Sequence, residues 1–86
     1  MENYEGLVVK SKAGRDNGKL YLVIKTDGEF VYVANGDTRK IENPKKKKLK
    51  HIQKTSNYAE KLRAKLLAAQ LVENHEVRKA LAEYLN

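Results

Sequence analysis

Residues 19–34, KLYLVIKTDGEFVYVA, decide the fold, because two runs of β-branched and aromatic residues are joined there by Asp27-Gly28. In the first run, residues 19–25, both alternating sets are apolar, with Tyr21 and Val23 on one side and leucine or isoleucine on the other. A strand with two apolar faces is covered on both sides, so this run predicts a central strand. An Asp-Gly pair favours the tight turn of a β-hairpin, so the two runs predict an antiparallel pair.

Further short strands and turns flank this pair. Residues 6–11 are a β-branched run bounded by glycine, which predicts a first strand. The loop 13–18, AGRDNG, carries two glycines that favour a compact turn. Residues 49–53 resemble a short strand, although Leu49 and Ile52 are three apart and require a bulge or a sheet edge. Four or five short strands separated by glycine turns predict a small antiparallel barrel that closes on itself.

The last third of the chain has a helical pattern. Asn57 with Glu60 three residues later suggests a capping box, and the pattern restarts at Asn74. Two helices of about 14 and about 11 residues are therefore expected as a hairpin, in an α+β protein with a barrel at 1–55 and helices at 56–86. Their apolar faces either cover the barrel or each other, or form a docking surface for a partner or a second copy. The apolar positions are Tyr58, Leu62, Leu66, Leu67, Ala69, Leu71, Val77, Ala80, Leu81, Tyr84 and Leu85.

The unbalanced charge of the chain is concentrated in residues 38–54. This stretch has eight basic residues and one acid, Glu42, which gives +7 and equals the formal net charge of the whole chain. The remaining 10 basic and 10 acidic residues cancel. Pro44 stiffens the turn before the lysine run, and such a local positive potential favours a phosphate backbone as partner. The basic residues of the stretch are Arg39, Lys40, Lys45, Lys46, Lys47, Lys48, Lys50 and Lys54.

Composition and motifs argue against several other classes of protein. The chain has no cysteine, its apolar runs are far shorter than a membrane span, and Glu2 and Glu5 stand where a signal peptide carries positive charge. We therefore expect a soluble, cytoplasmic protein. The two histidines lack metal-site spacing, and the glycines of the AGRDNG loop do not form a nucleotide cradle. Neither catalysis nor a cofactor or metal ion is expected.

A family resemblance rests on two segments. Residues 6–24, GLVVKSKAGRDNGKLYLVI, resemble the KOW motif, and the stretch from 33–41 through Lys50-His51-Ile52 resembles the second half of the barrel in KOW-containing ribosomal proteins. The chain is similar to short bacterial KOW-domain RNA-binding proteins and to KOW ribosomal proteins of the archaeal and eukaryotic large subunit. This resemblance implies an SH3-like barrel that binds RNA and is associated with ribosomes or translation.

The leading hypothesis is a non-catalytic protein that binds ribosomal or other structured RNA. Because lysine contacts phosphates as a point charge and is poor at reading bases, we expect affinity with little sequence preference. Arg15 and Arg39 are placed to add planar contacts, and Tyr21 and Tyr32 are candidates for stacking on bases. The alternative is a protein-interaction module that docks a translation or transcription component through the barrel or the helices. Attraction to an anionic membrane surface is the weakest hypothesis. The candidate RNA-binding residues are Lys10, Lys12, Arg15, Lys19, Arg39, Lys40, Lys45, Lys46, Lys47, Lys48, Lys50 and His51.

Overall fold

The computed structural model describes residues 2–12 and 14–85. They form five strands and two α-helices, with short 3-10 turns at Gly14–Asp16 and Leu49–His51. All strand pairs are antiparallel, and the sheet order is β4-β3-β2-β1-β5. The protein is therefore an α+β protein in which one sheet precedes two C-terminal helices. The elements are β1 (Leu7–Ser11), β2 (Leu20–Asp27), β3 (Phe30–Ala34), β4 (Lys45–Lys48), β5 (Ile52–Tyr58), α1 (Glu60–Leu67) and α2 (Asn74–Leu85).

The central position of β2 follows from its two apolar faces. Tyr21 and Val23 belong to a core on one face of the sheet, whereas Leu22 is fully buried in a second core on the other face. Asp27 pairs with Phe30 across a two-residue turn, so the hairpin predicted from the Asp-Gly pair is confirmed. The strands predicted at 6–11 and 19–25 are present as β1 and β2, and the second run of the hairpin is present as β3.

The two cores lie on opposite faces of the sheet, and the helices contribute only to the second. The first core takes its residues from four strands and the N-terminal segment. The second takes two buried residues, Val8 and Leu22, from the sheet and is completed by the helical region, while Leu20 and Ile24 of β2 pack against it. The first core contains Tyr4, Leu7, Val9, Tyr21, Val23, Val31, Val33 and Ile52. The helical region supplies Leu62, Val72, Val77 and Leu81 to the second core.

The sheet curves strongly towards the first core. The Lys47 Nζ of β4 lies 3.1 Å from the Ser11 Oγ of β1, although β3 and β2 separate these strands. In a flat sheet, three spacings of about 4.8 Å would hold β4 and β1 about 14 Å apart. β4 and β5 are nevertheless the two edges, and no ladder joins them within residues 2–12 and 14–85. The closed barrel expected from the strand count is not seen.

The segment around the lysine run differs from the expectation of a strand at 49–53. Residues 45–48 form β4, Leu49–His51 form a 3-10 turn, and only Ile52 onwards is strand. A 3-10 helix has three residues per turn, so Leu49 and Ile52 point to the same side. Both contact the first core. The spacing of three therefore reflects a turn and not a bulged strand.

The start and length of the first helix also differ from the sequence expectation. β5 continues to Tyr58, which pairs with Leu7, so Asn57 is extended and the predicted capping box is wrong. α1 begins after Ala59, which makes no side-chain cap hydrogen bond, and it has 8 residues. The second helix begins at Asn74, where the pattern predicts it, and has 12 residues.

The predicted apolar stripes are only partly buried. Leu62, Val77 and Leu81 are buried, which confirms that the helices cover the sheet. In contrast, the large apolar side chains near the ends of the helices lie on the surface. The exposed fractions are 51% for Leu67, 78% for Leu71 and 71% for Leu85.

Candidate nucleic-acid interface

The four lysines of β4 alternate between the two faces of the sheet. Lys45 pairs with Val33 and Lys47 with Val31, so these two share the face of the first core. Lys46 and Lys48 point the opposite way, and both are exposed. This alternation follows from the two-residue period of a strand. The lysine run is therefore two different pairs, which we name the inward pair (Lys45 and Lys47) and the outward pair (Lys46 and Lys48).

The inward pair is held by the carboxylate of Asp16, which lies in the 3-10 turn between β1 and β2. Asp16 forms a hydrogen-bonded ion pair with Lys45, and its Oδ2 lies 3.6 Å from the Lys47 Nζ. Lys19 approaches the other carboxylate oxygen at 3.8 Å. The Lys47 side chain is only 9% exposed and also donates to the Ser11 hydroxyl. The inward pair therefore links β4 to β1 and to the turn that follows β1. The sequence suggests Lys47 as an RNA contact, but its side chain is occupied by Asp16 and Ser11.

The same contacts perturb two ionisable groups. The hydrogen bond from Lys45, with the charges of Lys45, Lys47 and Lys19, lowers the pKa of Asp16, although burial acts in the opposite direction. Burial, then the charge and hydrogen bond of Asp16, raises the pKa of Tyr21. Tyr21 is 3% exposed and belongs to the first core. The hypothesis that Tyr21 stacks on bases is therefore wrong.

The outward pair is followed along the chain by two further exposed polar residues, one of them a lysine. Lys50 and His51 are exposed in the 3-10 turn that follows β4. The exposed residue Lys12 adjoins this turn, because its backbone N–H donates to the His51 carbonyl oxygen at 2.9 Å. The fold thus brings Lys12, which is distant in sequence, next to the basic stretch.

The other predicted site residues are more dispersed. Lys10 is half-buried in β1, opposite Leu20 and Gln53, and Arg15 is exposed beside Asp16. Arg39 is half-buried, and its Nη1 donates to the Asn43 carbonyl oxygen at 3.3 Å. Lys40 is exposed in the loop that leads to β4. Of the predicted set, Asp16 brings together Lys19, Lys45 and Lys47.

The start of α2 holds the loop that leads into β4. The Asn74 Oδ1 accepts from the Ile41 N–H at 2.9 Å, and the Asn74 Nδ2 donates to the Glu42 carboxylate at 2.9 Å. Arg78 donates to the Gly36 carbonyl oxygen at 2.6 Å. Gly36 has a φ of 77°, and a Cβ built there would lie 2.3 Å from the Asn74 carbonyl oxygen. Glycine is required at this position, and the helices and the basic stretch form one unit.

Two aromatic side chains on β3 lie next to the outward pair. Phe30 and Tyr32 are half-buried and belong to neither core. The Lys46 Nζ lies 4.3 Å from the Phe30 ring centroid, and the Lys25 Nζ lies 5.8 Å from that of Tyr32. The sequence analysis assigns no role to Phe30. In the structure Phe30 pairs with Lys48, and the missing signal is that the lysine run forms a strand beside β3.

Comparison with protein-family models and with curated proteins found no match for this chain. Within residues 2–12 and 14–85, no three histidine or acidic side chains are grouped so that they could hold a metal ion. In the same ranges, neither α-helix has the length and apolar character needed to cross a lipid bilayer.

Proposed function

We propose that this chain is a non-catalytic RNA-binding protein that contacts phosphates through the exposed cations of β4 and its neighbours. The observation that carries the proposal is the outward pair, Lys46 and Lys48, continued by Lys50 and His51 and joined by Lys12. Lys45 and Lys47 are accounted for by their contacts with Asp16, whereas Lys46 and Lys48 form no ion pair with an acidic side chain in the part of the chain that the structure describes. A ligand with regularly repeated negative charge explains why the exposed cations occur side by side.

The KOW resemblance belongs to this proposal. We propose that the curved sheet is an SH3-like barrel of the KOW type, which is supported by the reach of Lys47 from β4 to Ser11 on β1. Association with the ribosome or with translation in the cytoplasm follows from the same resemblance. The short glycine-bearing connection between β1 and β2, with Arg15 exposed at its tip, fits such a role.

The chemistry of the exposed cations indicates the kind of recognition. Lysine forms strong contacts with phosphates but does not offer the rigid fork with which arginine reads base edges. Phosphate contacts give affinity and orientation and carry no sequence information directly. We therefore expect the cation contacts to select RNA by shape and not by sequence, as is usual for helical RNA.

The proposal is tested by purifying the tagged chain from cell lysate with and without ribonuclease and sequencing the retained RNA. A matched control carries glutamine at Lys46, Lys48 and Lys50, which removes three exposed cations and leaves the inward pair in place. Enrichment of structured RNA by the natural chain, lost in the control, supports the proposal. Equal RNA recovery from both proteins would contradict it.

A protein-interaction module remains the second candidate, because Leu67, Leu71 and Leu85 are exposed on the helical region. Large contiguous apolar patches on a protein surface often mark sites of protein–protein interaction. In the same pulldown, protein partners that survive ribonuclease and disappear on changing Leu71 to Ser would favour this candidate.

A further inference from the structure

The surface that carries the outward pair also carries two aromatic rings. Phe30 and Tyr32 lie two residues apart on β3, and the register places Lys48 and Lys46 beside them on β4. Lys25 of β2 is opposite Tyr32 on the other side. All five side chains therefore project from the same face of the β2–β3–β4 region. We name this surface the aromatic platform.

The platform exists because the helices cover only part of that face. Leu22 and Ala34, which pair with each other, are fully buried, and Leu22 packs with the helices in the second core. The register of β2 then shifts between Val23 and Lys25, and beyond this irregularity the next pair on the face is Lys25 with Tyr32. The change from buried aliphatic residues to half-buried aromatics and cations marks the edge of the covered region.

The spacing of the rings suits neighbouring bases of an unstacked strand. Residues two apart on a strand are separated by about 6.6 Å, which is roughly twice the rise of about 3.4 Å between stacked bases. Each ring could therefore receive one base from a splayed single strand. A double helix could not use the rings in this way, because its bases are already stacked on each other.

A base can replace Lys46 on the Phe30 ring. Stacking of a base on an aromatic side chain is generally stronger than an exposed cation–π contact such as that of Lys46. Lys46 would moreover gain a phosphate when it leaves the ring, so its charge stays paired. Asp27 and Glu29 lie at the hairpin end of the platform and repel phosphates beyond Phe30 and Lys48.

We propose that the aromatic platform binds an unpaired segment of RNA, with bases stacked on Phe30 and Tyr32 and phosphates held by Lys25, Lys46 and Lys48. The inference rests on the proposed function and adds the class of RNA that the site takes. A structured RNA would then be recognised where a loop, bulge or end adjoins a helix. The helix meets the other exposed cations, and the unpaired segment meets the platform.

The experiment uses the chain's lack of tryptophan, which makes Tyr32→Trp a unique fluorescent probe. Titration with an oligouridylate of about eight nucleotides should quench this tryptophan to saturation, because stacking brings a base into contact with the indole. Leu71→Trp, at a residue that is 78% exposed and outside the platform, is the control and should show no quenching. Binding seen by anisotropy of a labelled oligonucleotide, with Tyr32→Trp unquenched, would overturn the inference.

A second measurement separates stacking from charge. Phe30→Leu and Tyr32→Leu keep every cation, and each should weaken binding of the single strand about tenfold, while binding of a blunt RNA duplex changes less than about twofold. Equal loss for both RNA forms, or no loss for either, would overturn the platform while leaving the proposed function in place. Absence of binding to both RNA forms by the natural chain would instead contradict the proposed function itself.

Discussion

Exchanging lysines within β4 in matched pairs separates the scaffold from the site. The outward variant carries Lys46→Gln and Lys48→Gln, and the inward variant carries Lys45→Gln and Lys47→Gln. Both variants remove two positive charges from the same strand, so their net charge is identical. Because only the inward pair contacts Asp16, we expect opposite consequences for binding and for stability.

The magnitudes follow from counterion release and from burial. Two lost phosphate contacts reduce the salt slope by about 1.4–1.8, which corresponds to roughly 25- to 60-fold weaker binding at about 0.1 M salt. The inward variant leaves the carboxylate of Asp16, which is 14% exposed, without its two closest cations. Loss of a buried partner costs about 1–3 kcal/mol, or a fall of several degrees in Tm for a domain of this size. A uniformly exposed lysine run would contribute little to stability. This run does contribute, because its inward pair contacts Asp16.

The assay combines thermal unfolding by circular dichroism with RNA affinity by fluorescence anisotropy at several salt concentrations. The outward variant should unfold within about 2 °C of the natural chain and bind RNA much more weakly. The inward variant should unfold earlier and, at a temperature where it is folded, retain most of its affinity. The reverse pattern, or equal losses of affinity from both variants, would refute the assignment of the two faces.

Three other predictions concern the fold. The folded state lowers the pKa of Asp16, so the contribution of its carboxylate to stability is present above about pH 4 and is lost as pH falls below that value. In urea unfolding from pH 7 to 3, the stability of Asp16→Asn should therefore depend less on pH than that of the natural chain, and identical pH profiles would contradict the prediction. Gly36→Ala should lower the free energy of unfolding by more than about 1–2 kcal/mol, because the added Cβ meets Asn74. Gly28→Ala is also at positive φ but has open space around it, so it should lose only the stability that the backbone strain costs. Equal losses of stability for the two variants in urea unfolding would disprove the contact with Asn74. Truncation after Ser56 removes four of the six buried residues of the second core, which is a loss of about 6–12 kcal/mol of hydrophobic stabilisation. The truncated chain should therefore show no cooperative unfolding transition when it is heated. A sharp transition would contradict the shared core.

The strands that depend on local pattern could be predicted from the sequence. β2 and β3 are marked by alternating apolar residues and by the turn at Asp27-Gly28, all of which act over a few residues. The start of α2 at Asn74 is likewise a local signal. The side assignment within β2 follows from the same alternation, with Tyr21 in one core and Leu22 in the other.

The elements that depend on distant partners could not be predicted in this way. Four consecutive lysines have no strand signal, and β4 forms because β3 offers an edge to pair with. Tyr58 has the spacing of a helical residue but pairs with Leu7, which extends β5 past the expected cap. The division of the lysines into two pairs follows from the alternation of β4, a strand that has no local signal. The ion pairs of the inward pair depend on Asp16, whose position across the curved sheet has no signal in the sequence around Lys45.

The salt dependence of RNA affinity tests the central claim most directly. About five phosphate contacts from the exposed cations predict that log K falls with log salt at a slope of roughly −3.5 to −4.5. The measurement requires a labelled RNA hairpin with an unpaired loop, titrated by anisotropy from about 50 to about 300 mM salt. A slope in this range is the result that the account predicts, and an affinity that does not change with salt would contradict it.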